Sequence, residues 1–191
     1  MLRAFADRPG VRLTYDQGVL EIMTLSFAHE SWRHLLGRLL VALTEELSLP
    51  LAGGGSTTFR RRRRQKGLEA DESYWIANEP KVRGKDQIDL RRDPPPDLAM
   101  EIDVTHSVLD RFGIYAALKV PEVWRFHKGI VTFHVLDAAG HYQVQAHSVA
   151  FPQLTSADLT SFLALRGKME QNALVGQFRT WVRERFKLKS E

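Results

Sequence analysis

Pro94-Pro95-Pro96-Asp97-Leu98-Ala99-Met100-Glu101-Ile102-Asp103-Val104-Thr105 reads as a short strand entered through a rigid proline run. Side chains alternate between the two faces of a strand. Leu98, Met100, Ile102 and Val104 therefore share one face, and Asp97, Ala99, Glu101 and Asp103 share the other. The first face is core. The second sets three acids in a row with one small residue among them, and such a row is unfavourable unless a cation sits over it. Hard divalent cations take oxygen ligands, so Mg2+ or Mn2+ is the natural candidate.

Upstream, Glu69 to Ala77 reads as a second strand, with Tyr74, Trp75 and Ile76 supplying β propensity. It offers Glu69, Asp71 and, after them, Glu72. If the two strands pair, Asp71 lies beside Glu101 or Asp103. Two or three carboxylates from neighbouring strands make a site for a metal that keeps several waters, one of which would attack a phosphodiester. The expected ligand set is Asp71, Glu101 and Asp103. The plainer alternative is that these acids are exposed or paired with nearby arginines. Residues 78–96 are polar, basic and proline-rich, and read as a loop.

Downstream, Ser107 with Asp110 three residues on resembles a capping box with Asp in place of Glu. Val108, Leu109, Phe112, Tyr115, Ala116 and Leu118 mark a short helix that stops before Pro121. A connection this short folds the helix back on the sheet. Arg111, one turn inside it, can then reach over the acid face to hold a phosphate or the attacking water. A surface ion pair with Asp110 or Glu101 is the competing reading. Val123–Phe126, Val131–Val135 and Tyr142–Gln145 read as three further strands, turning at Gly129 and Gly140. Thr155 or Ser156 opens a helical tail with Leu159, Phe162, Leu163, Leu174, Phe178, Trp181 and Val182 at its apolar positions.

Towards the N-terminus, Arg12–Tyr15 and Val19–Met23 form a hairpin about a turn at Asp16-Gln17-Gly18. Ser26 is the N-cap of a long amphipathic helix carrying Trp32, Leu35, Leu36, Leu39, Leu43 and Leu47 at helical spacing. Pro50 and Gly53-Gly54-Gly55 end it. His29 and Glu30 stand in its first turn, where anions are favoured, and are candidates to support the cleft, Glu30 as a further ligand. His29-Glu30-Ser31-Trp32-Arg33-His34 is not a zinc-protease motif, because histidines five apart lie ~140° around a helix. Ser56–Phe59 has β character and runs into Arg60 to Arg64, with a turn at Gln65-Lys66-Gly67. Alternate members of the arginine run, Arg60, Arg62 and Arg64, suit phosphate contacts along a groove. A charged, protected edge strand has the same appearance.

At 191 residues, with 43% hydrophobic and 26% charged residues, the chain is expected to be one globular domain. The absence of cysteine excludes disulfides, thiolate zinc sites and cysteine nucleophiles. No signal-like apolar stretch opens the chain and no run approaches membrane-spanning length, so a cytoplasmic protein with no membrane association is expected. The net charge is +4, concentrated at 60–64, 81–92 and the C-terminal tail, which suits a polyanionic partner. No G-x-x-x-x-G-K-[ST], G-x-G-x-x-G or G-x-S-x-G motif occurs, so nucleotide-dependent and hydrolase-elbow mechanisms lack support. The element order is that of an α+β fold with a central sheet.

These stretches together resemble the Uma-two-type restriction endonuclease family of the PD-(D/E)xK nuclease superfamily. The resemblance rests on the hairpin, the helix beginning with His29, Gly67-Leu68-Glu69-Ala70-Asp71, Pro96–Glu101, Asp110-Arg111, Tyr115 and Val120–Trp124. It implies a restriction-endonuclease-like core with a central mixed sheet flanked by helices, an extra N-terminal hairpin and C-terminal helices. One nuclease-like domain would span 1–191, with its core at about 10–150 and a helical extension at about 155–187. It implies Mg2+-dependent cleavage of DNA, with Asp71 and Glu101 as the metal-binding acids and Asp97 opening the strand. The catalytic lysine of such families, shifted onto the following helix four residues before the tyrosine, corresponds to Arg111. Ala70 replaces a proline, and Asp103 stands where E-x-K would have its lysine. Arginine stays protonated and is a poor base, but it can clamp phosphate. Such nucleases often pair to cut both strands, so a homodimer is expected. The alternative is a catalytically degenerate nuclease fold that binds nucleic acid or a protein partner without cleavage.

Overall fold

The computed structural model describes residues 11–16, 19–24, 26–56, 58–61, 66–104 and 110–186. In chain order its elements begin with β1 (Val11–Asp16), β2 (Val19–Thr24), α1 (Phe27–Glu46) and β3 (Ala52–Gly53). β4 (Thr58–Arg61), β5 (Lys66–Glu69), β6 (Glu72–Trp75), α2 (Glu79–Val82) and β7 (Leu98–Asp103) follow. The remainder is α3 (Arg111–Leu118), β8 (Glu122–His127), β9 (Ile130–Leu136), β10 (Tyr142–Gln145), α4 (Ser156–Leu163) and α5 (Gln171–Arg185). Among the described residues no helix is long and apolar enough to cross a membrane.

The strands form two sheets. The smaller has the order β2-β1-β5-β4, so the expected hairpin is extended by two strands and β4 lies at an edge. The larger has the order β10-β9-β8-β7-β6-β3. Its neighbours are antiparallel except β7 and β8, which are parallel and joined through α3. A parallel neighbour needs such a crossover, and the short α3 supplies it.

The alternation read in β7 sets the layers. Leu98, Met100 and Ile102 pack beneath α1 with Leu36, Leu39, Leu40 and Leu43, alongside Trp124 and Phe133. Ala99 faces the other side and packs with Ile114, Tyr115, Val120 and Val123. The sheet is therefore covered on both faces, and each large apolar side chain so enclosed contributes ~1.5–3 kcal/mol. α4 and α5 belong to the same core as α1, through Leu159, Leu163, Leu174, Phe178 and Val182. Helix ends follow the capping chemistry. Ser26 accepts from the His29 amide at 3.1 Å, and Thr155 forms a reciprocal box with Asp158.

Several expectations are corrected. The strand read over Glu69–Ala77 is two strands in different sheets. Glu69 pairs with Thr58 in β4, whereas Glu72 pairs with Met100 in β7, and the chain changes sheet at Ala70-Asp71. Lys66 and Gly67 belong to β5 and are not a turn. The 78–96 loop contains α2, whose first helical residues include Pro80. Arg111 is the first residue of α3, capped by Asp110 accepting from the Gly113 amide at 3.0 Å. Val104 lies past the strand end and is exposed. Ser107, Val108 and Leu109 fall outside the described residues, as do Arg62 and Arg64.

Candidate active site

The change of sheet at Asp71 creates the site. An acid in the β5–β6 link is free of strand pairing and turns its side chain inward, between α1 and β7. Asp71 Oδ2 accepts the Ile102 amide at 2.7 Å and lies 3.1 Å from His29 Nε2. Both side chains are about 5% exposed. His29 Nδ1 lies 3.1 Å from Glu30 Oε1, so the imidazole bridges two carboxylates. Burial alone would lower its pKa, but the hydrogen bonds and charges of Asp71 and Glu30 outweigh that and raise it. Burial would raise Asp71, but the same His29 contact, the Ile102 amide and Arg111 hold it below the usual carboxylate range. The two shifts describe one ion pair.

Glu101 sits on the neighbouring strand, beneath α3. Arg111 Nη2 donates to Glu101 Oε1 at 2.8 Å and to the Glu69 carbonyl at 3.0 Å, and Arg111 Nη1 donates to Thr14 Oγ1 at 2.9 Å. Tyr115, one turn along α3, donates its hydroxyl to the same Glu101 oxygen. Enclosure pushes Glu101 up to about 7, with Asp71 adding to the rise and Arg111 opposing it. Burial, and after it Glu101, holds the Tyr115 hydroxyl protonated, and Glu101 outweighs burial in keeping Arg111 protonated. The structure thus gathers Asp71, Glu101, Arg111, Tyr115, His29 and Glu30. It also adds Thr14 and the Glu69 carbonyl, whose involvement depends on how the small sheet docks.

Asp97 and Asp103 do not join this group. Asp97 Oδ2 accepts the amides of Ile76 and Asn78 at 2.7 and 2.9 Å, and Oδ1 accepts Asn78 Nδ2 at 2.6 Å. It fixes the turn after β6, four residues from Glu101 and so roughly 13 Å along the strand. Asp103 shares a face with Glu101, but the parallel register sets it opposite His127 and sets Glu101 opposite Arg125. It pairs with Arg125 and lies 3.2 Å from His127 Nδ1. Alternation in β8 puts Arg125 and His127 on the acid face, and only the parallel β7–β8 pairing makes that visible. Glu30 is claimed in turn by Arg33, at 2.7 Å, and Arg33 also pairs with Glu72. His34 is exposed. Arg60 lies on the edge strand β4.

Among the described residues no three His, Asp or Glu side chains stand together as a metal-binding group. Two carboxylates remain, Asp71 in the β5–β6 link and Glu101 on β7. Hard oxygen donors from one or two carboxylates are what a cation that keeps most of its waters requires. The pair fits that demand, and the three-acid set including Asp103 does not.

A mixed sheet flanked by helices, with acids at the meeting of adjacent strands, is a restriction-endonuclease-like fold. Residues 1–166 match the family model Uma2, described as "Putative restriction endonuclease", and the chain belongs to that family. No curated protein matches the chain.

Proposed function

We propose that the protein is a Mg2+-dependent endonuclease that hydrolyses DNA phosphodiester bonds. The observation that carries this is that Asp71 accepts the amide of Ile102, the residue beside Glu101, while Arg111 bonds Glu101 and the Glu69 carbonyl. Asp71 and Glu101 would hold the ion. When bound, Mg2+ supplies Lewis-acid polarisation of a phosphoryl oxygen and a water acidic enough to attack. The chain's own groups do the rest. His29 keeps Asp71 ionised and oriented. Tyr115 fixes Glu101. Arg111 remains protonated, so it takes no proton from water. Its charge is placed to stabilise the phosphorane-like oxygens as negative charge builds.

Titration calorimetry with Mn2+ on the wild type, Asp71→Ala and Glu101→Ala tests the reading. Binding in the wild type that both substitutions abolish supports it, and cleavage of supercoiled plasmid with Mg2+ then tests the chemistry. Absence of binding, or binding indifferent to both changes, overturns it. We further propose that two copies associate to cut both strands, since each chain carries one acid pair. Sedimentation with and without duplex checks this.

One observation favours a second reading, a nuclease fold that binds without cutting. Arg111 is already ion-paired with Glu101, and among the described residues no lysine is bonded to the group to act as base. Plasmid left intact by a chain that binds both Mn2+ and DNA would select it.

A further inference from the structure

A cleft of about 300 Å3 opens between α1, β6 and α5, at the lower end of the range for ligand pockets. Arg33, Gly37 and Val41, with His34 and Arg38 beside them, line it at helical spacing along one face of α1. Glu72 and Tyr74 of β6 form its floor, and Arg179 of α5 closes the far side. Three arginines and a histidine thus face one carboxylate. Glu72 is paired with Arg33, and Arg179 is held from behind by Glu45 and Glu46. Arg38 is different. Its guanidinium is tethered by neutral amide oxygens, Asn172 Oδ1 at 2.7 Å and Gln171 Oε1 at 3.4 Å. Among the described residues it forms no ion pair, although Glu170 at the N-cap of α5 feels its charge. It is oriented without being neutralised. Gly37 lets the Tyr74 hydroxyl of the floor lie close against α1, because a Cβ there would stand 3.0 Å from it.

Arg33 and Glu30 link the cleft to the His29–Asp71 side of the acid site. Glu72 follows Asp71 directly, and Arg33 lies one helical turn beyond His29 while bonding Glu30 at 2.7 Å. We propose that this cleft is a binding tract for the phosphodiester backbone next to the cleaved phosphate, with Arg38 as its phosphate contact. This rests on the DNA-cleaving reading above. It assigns strand binding to α1 and α5, elements other than β4. Arginine suits the role because its planar fork matches two phosphate oxygens.

The test is fluorescence anisotropy with a short labelled DNA duplex in EDTA, over a series of chloride concentrations. Arg38→Ala is expected to weaken binding roughly 5- to 10-fold and to reduce the salt slope by about one. Arg38→Lys should keep the slope, and Gly37→Ala should weaken binding with the slope unchanged. Melting temperatures of all three variants establish that they fold. Folded Arg38→Ala with wild-type affinity and slope overturns the tract and leaves the nuclease reading standing. A wild type that binds no duplex overturns both. Displacement of the duplex by micromolar deoxynucleotide at constant ionic strength would also overturn the tract, marking a nucleotide pocket instead.

Discussion

His29 and Asp71, far apart in the chain, meet through Nε2 and Oδ2 at 3.1 Å in a space closed to solvent. The same carboxylate oxygen accepts the Ile102 amide. One acid therefore joins α1 to β7. His29→Ala removes one partner of a buried contact and should lower stability by about 1–3 kcal/mol. His29→Gln keeps a donor in the space and should lose less. Urea unfolding in EDTA measures both, and equal losses would show that the hydrogen bond contributes nothing.

Glu101 gives the fold a pH signature. Its folded pKa of about 7 lies above its ordinary 4.5. The folded state therefore holds the proton more tightly, and this contribution is complete below about pH 4.5 and is lost as pH rises through 7. The loss is on the order of 3 kcal/mol. The raised His29 acts in the same sense above its ordinary 6.5. The lowered Asp71 acts oppositely, losing stability below its ordinary 3.8. Through Glu101 and His29 the metal-free protein should weaken from about pH 4.5 towards neutrality, while the lowered His134 acts in the opposite sense. Glu101→Gln should flatten the decline between about 4.5 and 7, and urea midpoints across that range decide it. An undiminished slope in the variant would refute the assignment.

Glu122 is buried, and burial raises its pKa. Its Oε1 accepts from Trp124 Nε1 at 2.8 Å, and Oε2 accepts from Ser148 Oγ and from the amides of Val149 and Ala150 at 3.1, 3.0 and 2.9 Å. Glu122→Leu leaves several buried donors without an acceptor, so a loss of at least about 3 kcal/mol is expected. Amide exchange at 149 and 150 should accelerate more than exchange in α1. Uniform acceleration would argue against a local clamp.

Phe178 of α5 is fully buried, with ring centroids 4.9 Å from Phe162 and 5.6 Å from Trp181. Phe178→Ala should cost about 3–5 kcal/mol, a large share of a domain's stability. A loss below ~1 kcal/mol, read from thermal or urea unfolding, would show α5 to be an appendage to the core.

Features set by local pattern were legible in the sequence. Alternation in β7 assigned the faces of Leu98–Asp103 correctly, because burial on one side is a property of the strand itself. The long helix, its Ser26 cap and the β8–β10 succession were legible for the same reason. Partners across the sheet were not. Asp97, Glu101 and Asp103 share a face, yet the turn at Ile76–Asn78 takes the first, and Arg125 and His127 take the last. Which acid remained for Asp71 depended on a parallel register set by non-local packing. The break at Ala70-Asp71 was hidden because both flanks have strand-like composition, and only the separation into two sheets exposes it.

Arg111 touches β1 through Thr14, the end of β5 through the Glu69 carbonyl, and β7 through Glu101. The small sheet carries the arginine-bearing strand β4 at its far edge. Arg111 is thus the seam between the small sheet and the strand that carries Glu101. Loss of that one guanidinium would release three elements at once, so the seat of the small sheet and the enclosure of Glu101 share a single side chain.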